Sequence, residues 1–155
     1  MTISDTIQRD IVIAAPIHKV WDVVSVPGWW INAGEAIDLT TVEWTGEATA
    51  IVHHPTHGDF DLERFDVDAP RSVSFRWLVS GADVERSRVT TDDQFLHTLV
   101  TFKLTEDDGC TRVAVVESGF ATAMMDEAAR LRAYNGNVEG WAIELALVKQ
   151  YVEAR

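Results

Sequence analysis

The sequence predicts an α+β fold: an antiparallel sheet of about six or seven strands, two short helices after strand one, and a long C-terminal helix covering the sheet. Three observations predict it. A series of strand-length apolar–polar runs is separated by turn residues, from "AIDLTTVEW" to "CTRVAVVES". A proline-led amphipathic segment follows the first run. The C-terminal segment repeats apolar residues at alternating three- and four-residue spacings. Consecutive strands with short turns pair antiparallel, and their apolar face needs a cover. The last helix is the longest apolar surface available for it.

The elements follow in order. In "DTIQRDIVIAA", Ile7, Arg9, Ile11 and Ile13 alternate with polar neighbours, as in a strand with one buried face. Pro16 suits the first turn of a helix, and Ile17, Val20, Trp21 and Val24 make its apolar stripe. Pro27-Gly28 breaks that helix, and "WWIN" reads as a second short helical turn. Strands are predicted at "AIDLTTVEW", "EATAIVH", "DFDLERFDVD", "SVSFRWLV", "FLHTLVTFKLT" and "CTRVAVVES". "EDDG" joins the last two as a hairpin. The polar loop "SGADVERSRVTTDD" is longer than most hairpin connections. Met124, Ala128 and Leu131 suggest a short helix, "AYNGN" interrupts it, and Asn137 is placed as the N-cap of the last helix. There Val138, Trp141, Leu145, Val148 and Val152 fall within one arc. Ile143 and Leu147 lie off that arc and leave a homodimer open.

Composition narrows the function classes. The 155 residues fit one domain, spanning 1–155. A formal charge of −12 opposes nucleic-acid backbones and anionic membrane surfaces. No run approaches the roughly 20 apolar residues that span a bilayer. "MTISDTIQRD" lacks a basic, apolar leader, and Cys110 is the single cysteine, so a reducing cytoplasmic location is expected.

Four stretches carry a resemblance. "IVIAAPIHKVWDVVS", "VDAPRSVSFRW", "TRVAVVESGF" and "GWAIELALVKQYVE" occur in this order across nearly the whole chain. The chain resembles the START-like (SRPBCC) helix-grip superfamily of polyketide cyclases, birch-pollen-allergen-type proteins and lipid-transfer domains. Within it, the chain is most similar to the activator of heat-shock-protein-90 ATPase homologue family. The resemblance implies a curved sheet gripping the last helix, with a hydrophobic cavity between. It also implies that Gly140 admits a close neighbour while Trp141 lines that space. The segments "SGADVERSRVTTDDQ" and "ATAMMDEAARLRAYNGN" are longer than the family's usual connections and are expected at the cavity mouth.

Candidate site residues follow from strand parity. Val73, Phe75, Trp77 and Val79 share one face, with Arg76 on the other. Leu96, Thr98, Val100, Phe102 and Leu104 are expected inside and His97 outside. Val113, Val115 and Glu117 share a face, which places Glu117 in the cavity if the valines point inward. A buried carboxylate must be paired or protonated. It then anchors a ligand or serves as a general acid–base, and it is the candidate catalytic residue; the plainer alternative pairs it with Arg112 or Lys103 at the sheet edge. Arg64 is expected either to reach the cavity or to snorkel to the surface. The expected ligand-binding set is Trp30, Phe75, Trp77, Phe102, Glu117, Trp141, Leu145 and Val148. His53, His54 and His57 are close in sequence, but adjacent strand residues face oppositely, so a solvated turn is favoured over a metal site.

The leading expectation is a binder of a small hydrophobic molecule, with no cofactor and no metal. The alternatives are a cyclase- or hydrolase-type enzyme using Glu117 and a chaperone-regulating interaction domain. An enzyme needs at least two converging polar groups, and only Glu117 qualifies, so the sequence leans away from catalysis. Chaperone activation is disfavoured because the authentic co-chaperone carries a further N-terminal domain.

Overall fold

A computed structural model describes residues 6–31, 37–54, 58–78, 97–118 and 127–154. The order is β1 (Thr6–Ile13), α1 (Ile17–Val24), a 3-10 turn (Leu39–Thr41), β2 (Val42–Trp44), β3 (Thr49–His54), β4 (Gly58–Asp68), β5 (Ser72–Leu78), β6 (His97–Asp107), β7 (Cys110–Ser118) and α2 (Glu127–Glu153). All seven strands form one antiparallel sheet in the order β1-β7-β6-β5-β4-β3-β2. The first strand therefore returns beside the last, while β2 to β7 run as a meander.

Strand periodicity fixes which face is buried. Ile7 and Ile13 on β1, Val73 and Phe75 on β5, Val100, Phe102 and Leu104 on β6, and Val113 and Val115 on β7 all point into one core. Helix α2 meets it with Trp141, Leu145, Val148 and Val152. The β6–β7 hairpin is a two-residue loop whose Asp108 and Gly109 both have positive φ, 54° and 78°. That is the type I′ geometry that matches strand twist.

Four expectations change. The first half of "AIDLTTVEW" is not strand: Asp38 accepts the Thr40 N–H at 3.0 Å and caps a 3-10 turn, leaving β2 only three residues. After Pro27 the chain makes a turn rather than a second helix, with the Ile31 N–H on the Gly28 carbonyl at 2.9 Å. Helix α2 runs 27 residues without a break, so Asn137 lies inside it rather than at its N-terminus. Each added residue of a formed helix gains a backbone hydrogen bond, which outweighs the cost of isolated glycines. Of the two segments expected at the cavity mouth, residues 79–96 and 121–126, Met124 included, lie outside the described residues, while 127–137 form the start of α2.

Gly140 provides the fourth change. No described atom lies within 4 Å of a Cβ built there, so no neighbour approaches the helix at this point. The glycine contributes only backbone freedom to the unfolded chain. Gly140→Ala is expected to raise stability by up to about 1 kcal/mol in urea unfolding.

Side chains distant in sequence hold the junction between β1 and α1. Glu106 of β6 accepts the Ile17 N–H at 2.6 Å, supplying the helix cap that Pro16 cannot. Thr111 donates to the Ala15 carbonyl at 2.8 Å. Glu153 accepts the Ala14 N–H at 2.8 Å and pairs with Lys149. The Ala14 N–H, followed by Lys149, holds the Glu153 carboxyl below the usual carboxylate range. A depressed folded pKa adds stability above the unfolded value, near 4.5, that is lost as pH falls through the folded one. Glu153→Gln is therefore expected to lower the thermal midpoint at neutral pH. The gap to wild type should close as the pH drops below about 4.5 in melts across the acid range.

The off-arc residues separate. Ile143 is 50% exposed, whereas Leu147 packs partly buried against the core.

Candidate functional site

The sheet and α2 converge on an aromatic wall. Strand register aligns its floor: Phe75 pairs with Val100, Phe102 with Val115, and Val100 with Glu117. Glu117 is flanked on its other side by Ile7 of β1. Helix α2 lowers Trp141 onto this floor, and the turn after α1 delivers Trp29 and Trp30.

The ring contacts are dense. Phe102 lies 5.4 Å from Trp29, 5.4 Å from Trp30 and 5.7 Å from Trp141 between ring centroids. Trp30 lies 5.2 Å from Phe75 and 5.7 Å from Trp141, and Trp29 lies 6.5 Å from Trp141. Separations of this size with tilted or edge-on planes are favourable ring contacts. These rings are in touch with one another and nearly fully buried.

Glu117 is the carboxylate at this wall among the described residues. It is 0% exposed, and the Trp141 indole N–H donates to its Oε1 at 2.8 Å. A buried carboxylate is strongly disfavoured without such donors. The bond also fixes the Trp141 ring, since an indole with its N–H engaged cannot rotate freely. Trp141 thus serves as both a hydrophobic plate and the donor that holds Glu117. In this setting Glu117 can accept a hydrogen bond from a ligand hydroxyl or amine, or exchange a proton with it.

The structure brings together Trp30, Phe75, Phe102, Glu117, Trp141, Leu145 and Val148 of the expected set, all buried. The side chains of Trp77, His54, His97 and Thr98 lie outside the described residues, as do all of His57 and Val79. Glu117 points inward, whereas Arg112 pairs with Asp10 across the outer face at 2.8 Å. Arg64 does not join Glu117. It donates to the Ser25 carbonyl at 3.1 Å and covers the half-exposed Trp44 ring at 4.8 Å. His53 is exposed and bonded to Glu43 at 2.9 Å. Cys110 opens β7, partly buried. Trp21, expected in the core, is only partly buried.

Sequence reasoning missed Trp29. It is 2% exposed, touches Trp30, Phe102 and Trp141, and belongs to the centre of the wall. The available signal was its position directly after Pro27-Gly28. There a glycine with φ +74° packs its Cα against Val52 and Leu62 and turns the next residue inward.

Comparison with known proteins places this geometry. A protein of Mesorhizobium loti, MLL2253, has a similar structure at TM-score 0.67 and 21% identity, covering 96% of this chain and 97% of that one. Bacillus halodurans BH1534 gives 0.66 and 23%, covering 99% and 100%. The Aha1 dimer from Colwellia psychrerythraea gives 0.65 and 16%, covering 96% of each. At these identities the likeness is one of fold. No curated protein matches the sequence. The family model described as Activator of Hsp90 ATPase homolog 1-like protein matches residues 14–153, which include α1, the aromatic wall, Glu117 and all of α2. By that match, the chain belongs to the Activator of Hsp90 ATPase homolog 1-like family, within the helix-grip fold.

Proposed function

We propose that the protein binds a small hydrophobic molecule in the space between the sheet and α2. The observation that carries this reading is the wall of Trp29, Trp30, Phe75, Phe102 and Trp141 around one buried, hydrogen-bonded carboxylate. Mostly apolar surroundings with a few fixed polar groups are the usual make-up of small-molecule sites. Burying about 300 Å² of apolar ligand surface gains roughly 7 kcal/mol gross. Association consumes about 4 kcal/mol or more. Apolar burial alone then leaves affinity near millimolar, and polar anchors are needed to reach micromolar.

Native mass spectrometry of protein purified from its own host tests this reading, together with Nile red titration. A bound small molecule, or saturable one-to-one probe binding weakened by Trp141→Phe but not by Trp44→Phe, supports it. Trp44 is the control because it is half exposed at the opposite sheet edge. Absence of both an adduct and saturable probe binding overturns it.

The buried Glu117 favours one second reading, an acid–base enzyme. Glu117→Gln separates the two: a binder keeps most of its affinity, and an enzyme loses turnover of the retained molecule.

A further inference from the structure

Three indoles face Phe102, and the N–H groups of Trp141 and Trp29 differ in one respect. The Trp141 N–H has its acceptor in Glu117. The Trp29 Nε1 is fully buried and has no hydrogen-bond partner among the described residues. Buried donors are nearly always satisfied, and an exception calls for a water or ligand acceptor. The donor is not in an isolated crevice: its ring touches Trp30, Phe102 and Trp141, within the proposed binding wall.

We infer that the Trp29 N–H is the specificity donor of this site, and that the ligand is a planar aromatic molecule carrying a hydrogen-bond acceptor, a carbonyl oxygen or ring nitrogen. This rests on the ligand-binding reading above and narrows it. The flat faces come from the wall, since aromatic rings prefer to pack on aromatic rings. The acceptor comes from the indole N–H, which can only donate. An aromatic hydrocarbon of the same shape would cover the N–H and leave it unsatisfied. A site built to hydrogen-bond its ligand rejects the analogue that lacks the group.

Quinoline and naphthalene test this, because they share shape and differ by one acceptor nitrogen. Hydration differs between the two probes, so the informative quantity is how their affinity ratio changes between proteins. Titrations at neutral pH in wild type and Trp29→Phe should show the quinoline-to-naphthalene ratio falling about tenfold in the variant. On wild type labelled with nitrogen-15 at its indoles, quinoline should move the Trp29 N–H resonance downfield and naphthalene should not. An unchanged ratio overturns the inference and leaves the binding site standing. A Trp29 resonance that responds alike to both probes overturns it too, and decides the matter if Trp29→Phe fails to fold. Binding of neither probe overturns the inference, and the native mass and Nile red measurements then decide the ligand-binding reading by themselves.

Discussion

Trp141→Ala is expected to cost about 4–5 kcal/mol, at the upper end for an aromatic core truncation. Trp141→Phe should cost about 2 kcal/mol. The first figure reflects volume. Trp141 is 2% exposed and packs on Trp29, Trp30 and Phe102, so its removal opens a cavity that other rings cannot close without leaving their rotamers. The second reflects chemistry. Phenylalanine keeps a ring against Phe102 but withdraws the donor to Glu117, a hydrogen bond to a carboxyl group in a fully buried place. Glu117→Gln in the Trp141→Phe background should recover part of the loss, because an amide is easier to bury than a carboxylate. A double-mutant cycle by urea unfolding should therefore show a coupling of about 1–3 kcal/mol. Trp141→Phe as stable as wild type would mean the bond to Glu117 contributes nothing to the fold.

Gly28→Ala is expected to destabilise by about 2–4 kcal/mol, against the usual 5–15 kcal/mol that holds a domain together. Two penalties act on the same methyl group. The residue has φ +74°, where a side chain costs about 1–2 kcal/mol. The added Cβ would also stand 2.2 Å from Val52 Cγ2 and 3.2 Å from Leu62 Cδ1. Val52 is wholly buried on β3 and paired with Phe60, so it has no free space to move into. Overpacking of this kind costs about 1–3 kcal/mol. The effect should reach the site, since Gly28 seats the turn that delivers Trp29 and Trp30. Val52→Ala removes the clashing methyl groups and should make Gly28→Ala milder in its own background. If the single substitution unfolds at the wild-type midpoint, the turn does not sit against β3 as described.

The contrast between Gly28 and Gly140 shows what local patterns can and cannot report. Both glycines precede a tryptophan of the wall. The sequence reading assigned the close approach to Gly140, where the structure leaves open space. The close approach is at Gly28. Nothing in the two dipeptides separates these cases, because the atoms that decide them belong to β3 and β4.

The sequence by itself determined the strand run, the amphipathic terminal helix and the face that Glu117 shares with Val113 and Val115. Each follows from periodicity within one element, a constraint that neighbouring residues impose on one another through the backbone. It also carried Phe75 and Phe102 to the interior through strand alternation and Trp141, Leu145 and Val148 through helical spacing, whereas Trp30 sits in a turn that no period governs. Only the tertiary structure decided that α2 is unbroken, that Trp29 is central, and that Trp141 donates to Glu117 rather than merely covering it. Those outcomes depend on how α2 is rotated and how far the turn after α1 sinks onto the sheet. Packing among residues far apart in the chain sets both, so no local period encodes them.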